Sequence, residues 1–396
     1  AGLIEEAAER SMDLLRAAST KNGFVASLAF DHYSVIWARD GLISSLGALA
    51  SGESALVETA AATIDTLTSK ASSRGQVPAL VNPEEDTWDF GEGGTVDATA
   101  WLPIAAGHYL EATGDLSRVR GWWPSVSRAV GWLAYQDVTG SGLISAAPST
   151  DWMDAALTRS GRTLHMNVLY GWAVESALEI AAALSEPFET PVRDIGGLID
   201  TWFWPDPARS VADLYPSSFA HTALVSEYER LARLDRNHYV SHIVHAAFVD
   251  VVDVLANSLA IVSGIAHGLR ASAILDAIES SASPWPSQTF PEPVSSQDPS
   301  AMLVEAIDAV IDSRWSNSPG RYHNAAAWPY VGGFHAAAQA LHRGPSEALP
   351  LLERLAEANA LGDWRFSEWI GEHGPDGAPL QTWNAGTYLY AWNLLG

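Results

Sequence analysis

Apolar residues recur at the three- and four-residue spacing of helices through most of the chain. The pattern predicts helices over 3–18, 40–51, 53–70, 96–113, 118–136, 165–185, 192–203, 220–234, 250–281 (with a break near Gly264), 300–313, 324–341, 345–359 and 380–395. Strand signals are few, at Gly23–Phe30 and Val77–Leu80. Helix pairs follow one another at about fifty residues, with no shift of composition between them. A dozen or so helices in pairs predict a double ring, six inner and six outer: an all-α (α/α)6 toroid, with 1–396 as a single domain. A helical solenoid has short loops and visible sequence repeats. Here the loops are long, irregular and aromatic, and long loops in a compact domain tend to carry function.

Composition narrows the choice of partner. The chain has 396 residues, 47% of them apolar, and a formal charge of −25 with lysine only at Lys21 and Lys70. Such an acidic balance argues against nucleic acid and anionic membrane surfaces. No cysteine is present, which removes disulfides and thiolate chemistry. No stretch reaches eighteen uninterrupted apolar residues, so no membrane span is expected. Ala1 to Leu15 reads as an amphipathic helix with Glu5, Glu6 and Glu9 on its wet face, without the basic start of a signal peptide. A cytoplasmic location is the corresponding expectation.

The unusual residues collect where helices begin. Asp89-Phe90-Gly91-Glu92-Gly93-Gly94-Thr95-Val96-Asp97 runs into an apolar segment ending in Trp101 and beyond. Its glycines let backbone approach closely, and Asp97 falls in the first helical turn, where a carboxylate also serves as a plain cap. Trp37-Ala38-Arg39-Asp40 precedes another helix, and an Arg-Asp pair beside an indole can hold adjacent hydroxyls while the ring covers an apolar sugar face. Thr150-Asp151-Trp152-Met153-Asp154 and His165 follow, the former equally readable as an Asx turn. Three clusters lie near the C-terminus: Arg321-Tyr322-His323-Asn324 with Trp328-Pro329-Tyr330, Phe366-Ser367-Glu368-Trp369, and Gln381-Thr382-Trp383-Asn384. His238, His242 and His245 are spaced to share a helical face, yet no carboxylate-rich shell accompanies them, so no metal and no cofactor is expected.

In a closed ring the inner-helix starts meet at one end. A pocket there would be walled by Trp37, Trp101, Trp152, Trp328, Trp369 and Trp383, with acids, Arg, His and Gln between them. Flat indoles stack on pyranose faces, which points to a small carbohydrate as the partner. Glycosidic cleavage needs one protonated carboxyl and a second carboxylate; about 6.5–9.5 Å between them leaves room for a water and inverts the anomer. Asp97 and Glu368 are the two candidates.

These motifs resemble the (α/α)6 glycosidases that include amylo-α-1,6-glucosidases, mannosylglycerate and glucosylglycerate hydrolases, and alkaline/neutral invertases. Six segments appear in the family's order, with Ala325 and Asn384 where relatives carry Gly and Ser, and without the N-terminal β-domain of many relatives. The resemblance implies an inverting hydrolase of α-glucosides or related small sugars, with Asp97 as general acid and Glu368 as general base. It further implies that Arg39 and Asp40 hold the terminal sugar, that Trp37, Trp152, Trp328 and Trp383 stack on it, that Asp151, Asp154, His165, His323 and Gln381 bind hydroxyls, and that Tyr322 also belongs to the substrate site. An invertase-like β-fructofuranosidase, a glycoside phosphorylase using Arg159 and Arg162, and an inactive sugar-binding toroid are the alternatives.

Overall fold

A computed structural model of the protein describes residues 2–29, 35–91, 94–154, 159–209, 221–244, 247–279, 285–294 and 316–396. Thirteen helices fall among the described residues: α1 Leu3–Ala18, α2 Ala38–Ser51, α3 Ser54–Ser69, α4 Val96–Thr113, α5 Leu116–Ala134, α6 Leu164–Leu184, α7 Ile195–Trp202, α8 His221–Ala232, α9 Val254–Val262, α10 Gly268–Glu279, α11 Pro329–Arg343, α12 Pro345–Trp364 and α13 Thr382–Asn393. Six of them form a closed circle of neighbours: α2 packs on α4, α4 on α6, α6 on α9, α9 on α11, α11 on α13, and α13 on α2. Outside them, α3, α5, α7, α10, α12 and α1 back α2, α4, α6, α9, α11 and α13 in turn. This is the (α/α)6 toroid.

Hydrophobic pattern decides which helix goes where. The inner helices are largely buried around their whole circumference; every residue of α11 from Pro329 to Ala340 is buried. A helix that is apolar all round belongs inside. The outer α1 buries Ala7, Ala8, Ser11, Leu14, Leu15 and Ala18, a single stripe at helical spacing. The ring closes where its first and last inner helices touch through glycine. A Cβ on Gly47 would stand 2.0 Å from the Gly386 carbonyl oxygen, so α2 and α13 meet backbone to backbone.

Short antiparallel sheets tie the loops down around the inner-helix starts. β3 (Ile36–Trp37), β4 (Leu80–Asn82) and β5 (Thr87–Asp89) follow the small β1–β2 hairpin (Ser19–Thr20 with Gly23–Phe24), with Trp37 opposite Leu80 and Leu80 opposite Asp89. β6 (Arg162–Thr163), β7 (His242–Val244) and β8 (Ala247–Val249) form a second three-stranded sheet, and β9 (Trp369–Gly371) pairs with β10 (Gly374–Asp376).

Several expectations shift. The helix predicted from 324 begins at Pro329, because Tyr322 and Ala325 take left-handed backbone (φ 45° and 69°). Their stretch is committed to the 287–294 loop instead: Thr289 donates to the Ala326 carbonyl, and Ala325 donates to Thr289 Oγ1. The helix predicted to end at 359 runs to Trp364 across a break at Leu361–Asp363. His242 sits in a strand rather than on a helical face with His238, and His245 lies outside the described residues. The helix predicted over 300–313 lies outside them too. Among the described residues no helix is long and apolar enough to cross a membrane.

Candidate active site

The inner-helix starts meet at one end of the ring, joined by polar contacts at α2, α4, α6 and α9 and by ring contacts at α11 and α13. Arg39, in the first turn of α2, donates through Nε to Asp97 Oδ2 at 2.6 Å and through Nη2 to Asp97 Oδ1 at 3.0 Å, across to the first turn of α4. Asp97 Oδ1 also accepts the Ala98 amide at 2.9 Å. The third guanidinium nitrogen, Nη1, reaches Asp154 Oδ2 at 3.3 Å. These two carboxylates share one cation but not one environment. Asp97 is wholly buried, whereas the Asp154 side chain is 43% exposed.

Electrostatics sharpens that difference. Desolvation by the surrounding wall and the charge of Asp97 push the Asp154 carboxyl up, outweighing Arg39. Asp40, next to Arg39, is pushed up to about 7, chiefly by burial. A raised carboxyl keeps its proton to higher pH, which is what an acid catalyst requires.

On the other side of the turn that carries Asp154, a second arginine makes a similar construction. Arg159 donates through Nε to Asp151 Oδ2 at 2.7 Å and through Nη1 to Asp253, the N-cap of α9. Burial pushes Asp151 up, but the Arg159 charge and the nearby His165 ring together hold it below the ordinary carboxylate range. Asp151 Oδ1 meanwhile accepts the Met153 amide at 2.9 Å, which fixes the turn leading to Asp154. His242 is driven down to about 3 by burial beside Arg159, so its ring is neutral.

Aromatic rings make the wall between these arginines and Glu368. Trp152 stands edge-on to His323, Trp328 and Tyr330 at centroid distances of 5.0, 5.2 and 5.4 Å. Tyr330 stacks on Trp383 at 4.0 Å. Tyr322 lies 4.2 Å from His323 and 6.3 Å from Trp369, the residue after Glu368. The half-buried Glu368 is positioned by the β9–β10 arm: its Oε2 accepts the Ala378 amide at 3.0 Å, and its own amide donates to the Ala378 carbonyl at 3.0 Å. Gly377 allows this approach, since a Cβ there would lie 2.4 Å from Glu368 Oε2 and the backbone φ is 71°. Gln381 caps the start of α13, donating its amide to the Phe366 carbonyl at 3.1 Å.

The structure therefore gathers Trp37, Arg39, Asp40, Asp97, Asp151, Trp152, Asp154, His165, Tyr322, His323, Trp328, Trp369, Gln381 and Trp383 onto one end of the ring. Trp101 is different. It lies a turn inside α4, 1% exposed, packed on Trp172 and Phe334 at 5.9 and 5.7 Å, and belongs to the core between inner helices. Trp328 is 1% exposed and its indole N–H is spent on the Tyr322 carbonyl at 2.9 Å, so it supports the wall from behind. Tyr330 was visible in the sequence only as the end of a Trp-Pro-Tyr helix start. In the fold it is fully buried, faces the charges of Arg39, Asp97, Asp253 and Asp40, and its hydroxyl has no partner among the described residues. Among the described residues no group of three or more His, Cys, Asp or Glu could hold a metal ion.

The family model of amylo-alpha-1,6-glucosidase matches residues 10–389. The chain belongs to that family. It is a glycoside hydrolase. Among curated proteins none matches. Among solved structures, the GH63 mannosylglycerate hydrolase from Thermus thermophilus in complex with glucose is similar over 96% of this chain and 98% of its own, with a TM-score of 0.64 and 17% identity. The same hydrolase with Tris and D-glycerate gives 0.64 and 16%, over 97% and 99%. A GH78 family rhamnosidase of Bacillus sp. GL1 is similar over 98% of this chain and 34% of its own, with a TM-score of 0.59 and 16% identity. At these identities the likeness is one of fold, and it places this member of the glucosidase family among helical double rings of the same design.

Proposed function

We propose that the protein is an inverting exo-acting α-glycosidase of small sugars in which Asp154, rather than Asp97, is the general acid and Glu368 the general base. The observation that carries this is the unequal sharing of Arg39. Asp97 is closed off from solvent, with both carboxylate oxygens engaged by a two-point ion pair and one of them also by a backbone amide. Asp154 meets the same guanidinium with a single long contact, is open to the mouth, and has its carboxyl pushed up. Asp97 thus serves as the anchor that orients Arg39.

The reaction then has two proton movements and one bond exchange. Asp154 gives its proton to the glycosidic oxygen as the bond from the anomeric carbon breaks. Glu368 takes a proton from a water that attacks the anomeric carbon from the opposite face, and the released sugar has inverted configuration. The indoles and Tyr322 cover the sugar's apolar faces, while Arg39, Asp40 and Gln381 meet its hydroxyls. A small substrate is supported by the fold likeness to a hydrolase described with glucose and with D-glycerate. Hydrolysis is favoured over phosphorolysis because Arg159, a cation available in the sequence for phosphate, is neutralised by Asp151 and Asp253.

The test is a substrate panel of α-linked glucosides, mannosides and their glycerate conjugates, with proton NMR of the first-formed anomer. Inversion is expected, with Asp154→Asn and Glu368→Gln inactive and Asp97→Asn retaining measurable turnover. Retention of configuration, or normal turnover in Asp154→Asn, would sink the assignment.

A further inference from the structure

We infer that the ring carries a second ligand pocket on its flank, suited to a small neutral polyhydroxylated molecule of about monosaccharide size. A cavity of about 360 Å³ lies between the inner α11, the outer α10 and α12, and the strap Trp285–Pro291. That volume falls in the range of small-molecule sites, about 300–1,000 Å³. It is not the mouth. His335 and Gln339, which form its inner wall, lie about 9 and 15 Å along α11 from that helix's first residue at 1.5 Å per residue, and α11 stands between the cavity and the ring axis.

Two buried side chains in this wall are unusual for a helix–helix seam. His335 is 4% exposed; its Nδ1 meets Ser287 Oγ at 2.8 Å, and its Nε2 has no partner among the described residues. Burial lowers this histidine to about 3, so the ring is a neutral donor-acceptor. Gln339 is 2% exposed; its Nε2 donates to Glu279, and its Oε1 likewise has no partner among the described residues. Apolar side chains would close such a seam at lower cost, because a buried polar group without a partner is penalised. A ligand with hydroxyls satisfies both, since each hydroxyl donates and accepts.

Charge and shape fix the ligand class. Glu279 and Glu347 at the opening stand against Arg354 and the adjacent Arg343, so the charges balance and an anion gains no net attraction. Glu279 is already held by Gln339 and by Arg343 at 3.2 Å, which leaves little attraction for a cation. Trp285 supplies a flat face, with Pro286 and Leu351 beside it. Carboxylates, an amide and an indole around a small cavity are the complement of a polyol. The strap also reaches the mouth, because the Ser287 carbonyl accepts the Trp328 amide at 3.0 Å. The inference does not depend on the reaction assigned to the mouth.

The experiment is calorimetric titration of the intact chain carrying Arg39→Ala, which disables the sugar clamp, with D-glucose, D-mannose, glycerol and myo-inositol. At least one of the four is expected to bind with a stoichiometry of one, and adding Gln339→Leu should weaken that binding about tenfold or more by removing a buried hydrogen bond. Arg354→Ala, at the exposed lip, gives the same test should Gln339→Leu fold poorly, with a weakening of the same sign. No binding by any of the four in Arg39→Ala overturns the pocket. So does binding that neither Gln339→Leu nor Arg354→Ala alters.

Discussion

Arg39 and Arg159 perform the same electrostatic task on either side of the Asp151–Asp154 turn and end in different roles. Each bridges two aspartates brought together from separate segments. Arg159 is fully enclosed, with Asp151 and Asp253 enclosed beside it, so its charge is consumed in holding the start of α9 to the turn before α6. Arg39 is 13% exposed and one of its two carboxylates opens to the mouth. A triad in which the cation and both carboxylates are sealed from solvent is scaffold; one with a carboxylate left in contact with solvent and its proton affinity raised is able to do chemistry. The difference lies in the burial of one aspartate rather than in the residue types.

This comparison can be broken at several points. The largest effect should come from Asp154→Asn or Glu368→Gln, which remove the proton donor and acceptor: turnover should fall by about 10³-fold or more, with the melting temperature nearly unchanged. Next is Arg159→Met, which leaves two carboxylates buried without their cation and should destabilise the fold by about 3–5 kcal/mol, measured by denaturant unfolding. Arg39→Met should cost less stability and most of the activity, and equal losses of stability in the two variants would remove the distinction drawn here.

Asp97→Asn gives a subtler, signed outcome. The charge of Asp97 raises Asp154, and its removal also leaves Arg39 free to attract Asp154 more strongly. Both changes lower the acid's pKa, so the alkaline limb of kcat/KM should move to lower pH. An alkaline shift would contradict the shared-cation geometry. The smallest effect concerns Asp40, whose folded-state pKa of about 7 stands above its ordinary value of 3.8. Between those values the folded state binds more protons than the unfolded one, so this group's contribution to stability falls as pH rises through that window. Asp40→Asn should therefore flatten the decline in melting temperature between about pH 4 and 7.

Much of the ring was legible in the chain. The apolar spacing marked the helix starts at 3, 96 and 345 to the residue, and the motifs around Arg39, Asp154, Tyr322, Glu368 and Gln381 fall at the mouth. The misreadings share a cause. Trp101 carries the same side chain as Trp152, yet one turn of helix puts it among Trp172 and Phe334 in the core. Residues 325–328 have helical composition, but their amides and carbonyls are taken by the 287–294 loop and by Ile370, from distant parts of the chain. Arg159 looked available for an anion because its two partners lie eight and ninety-four residues away.

The sequence by itself determined most of the helices, their pairing into a double ring and the types of residue at the helix starts, because periodicity and local propensity act within a few turns. Only the tertiary structure decided which carboxylate is sealed and which is open. Proton affinity depends on the charges and the solvent within a few ångströms, and in this ring those neighbours arrive from segments far apart in the chain.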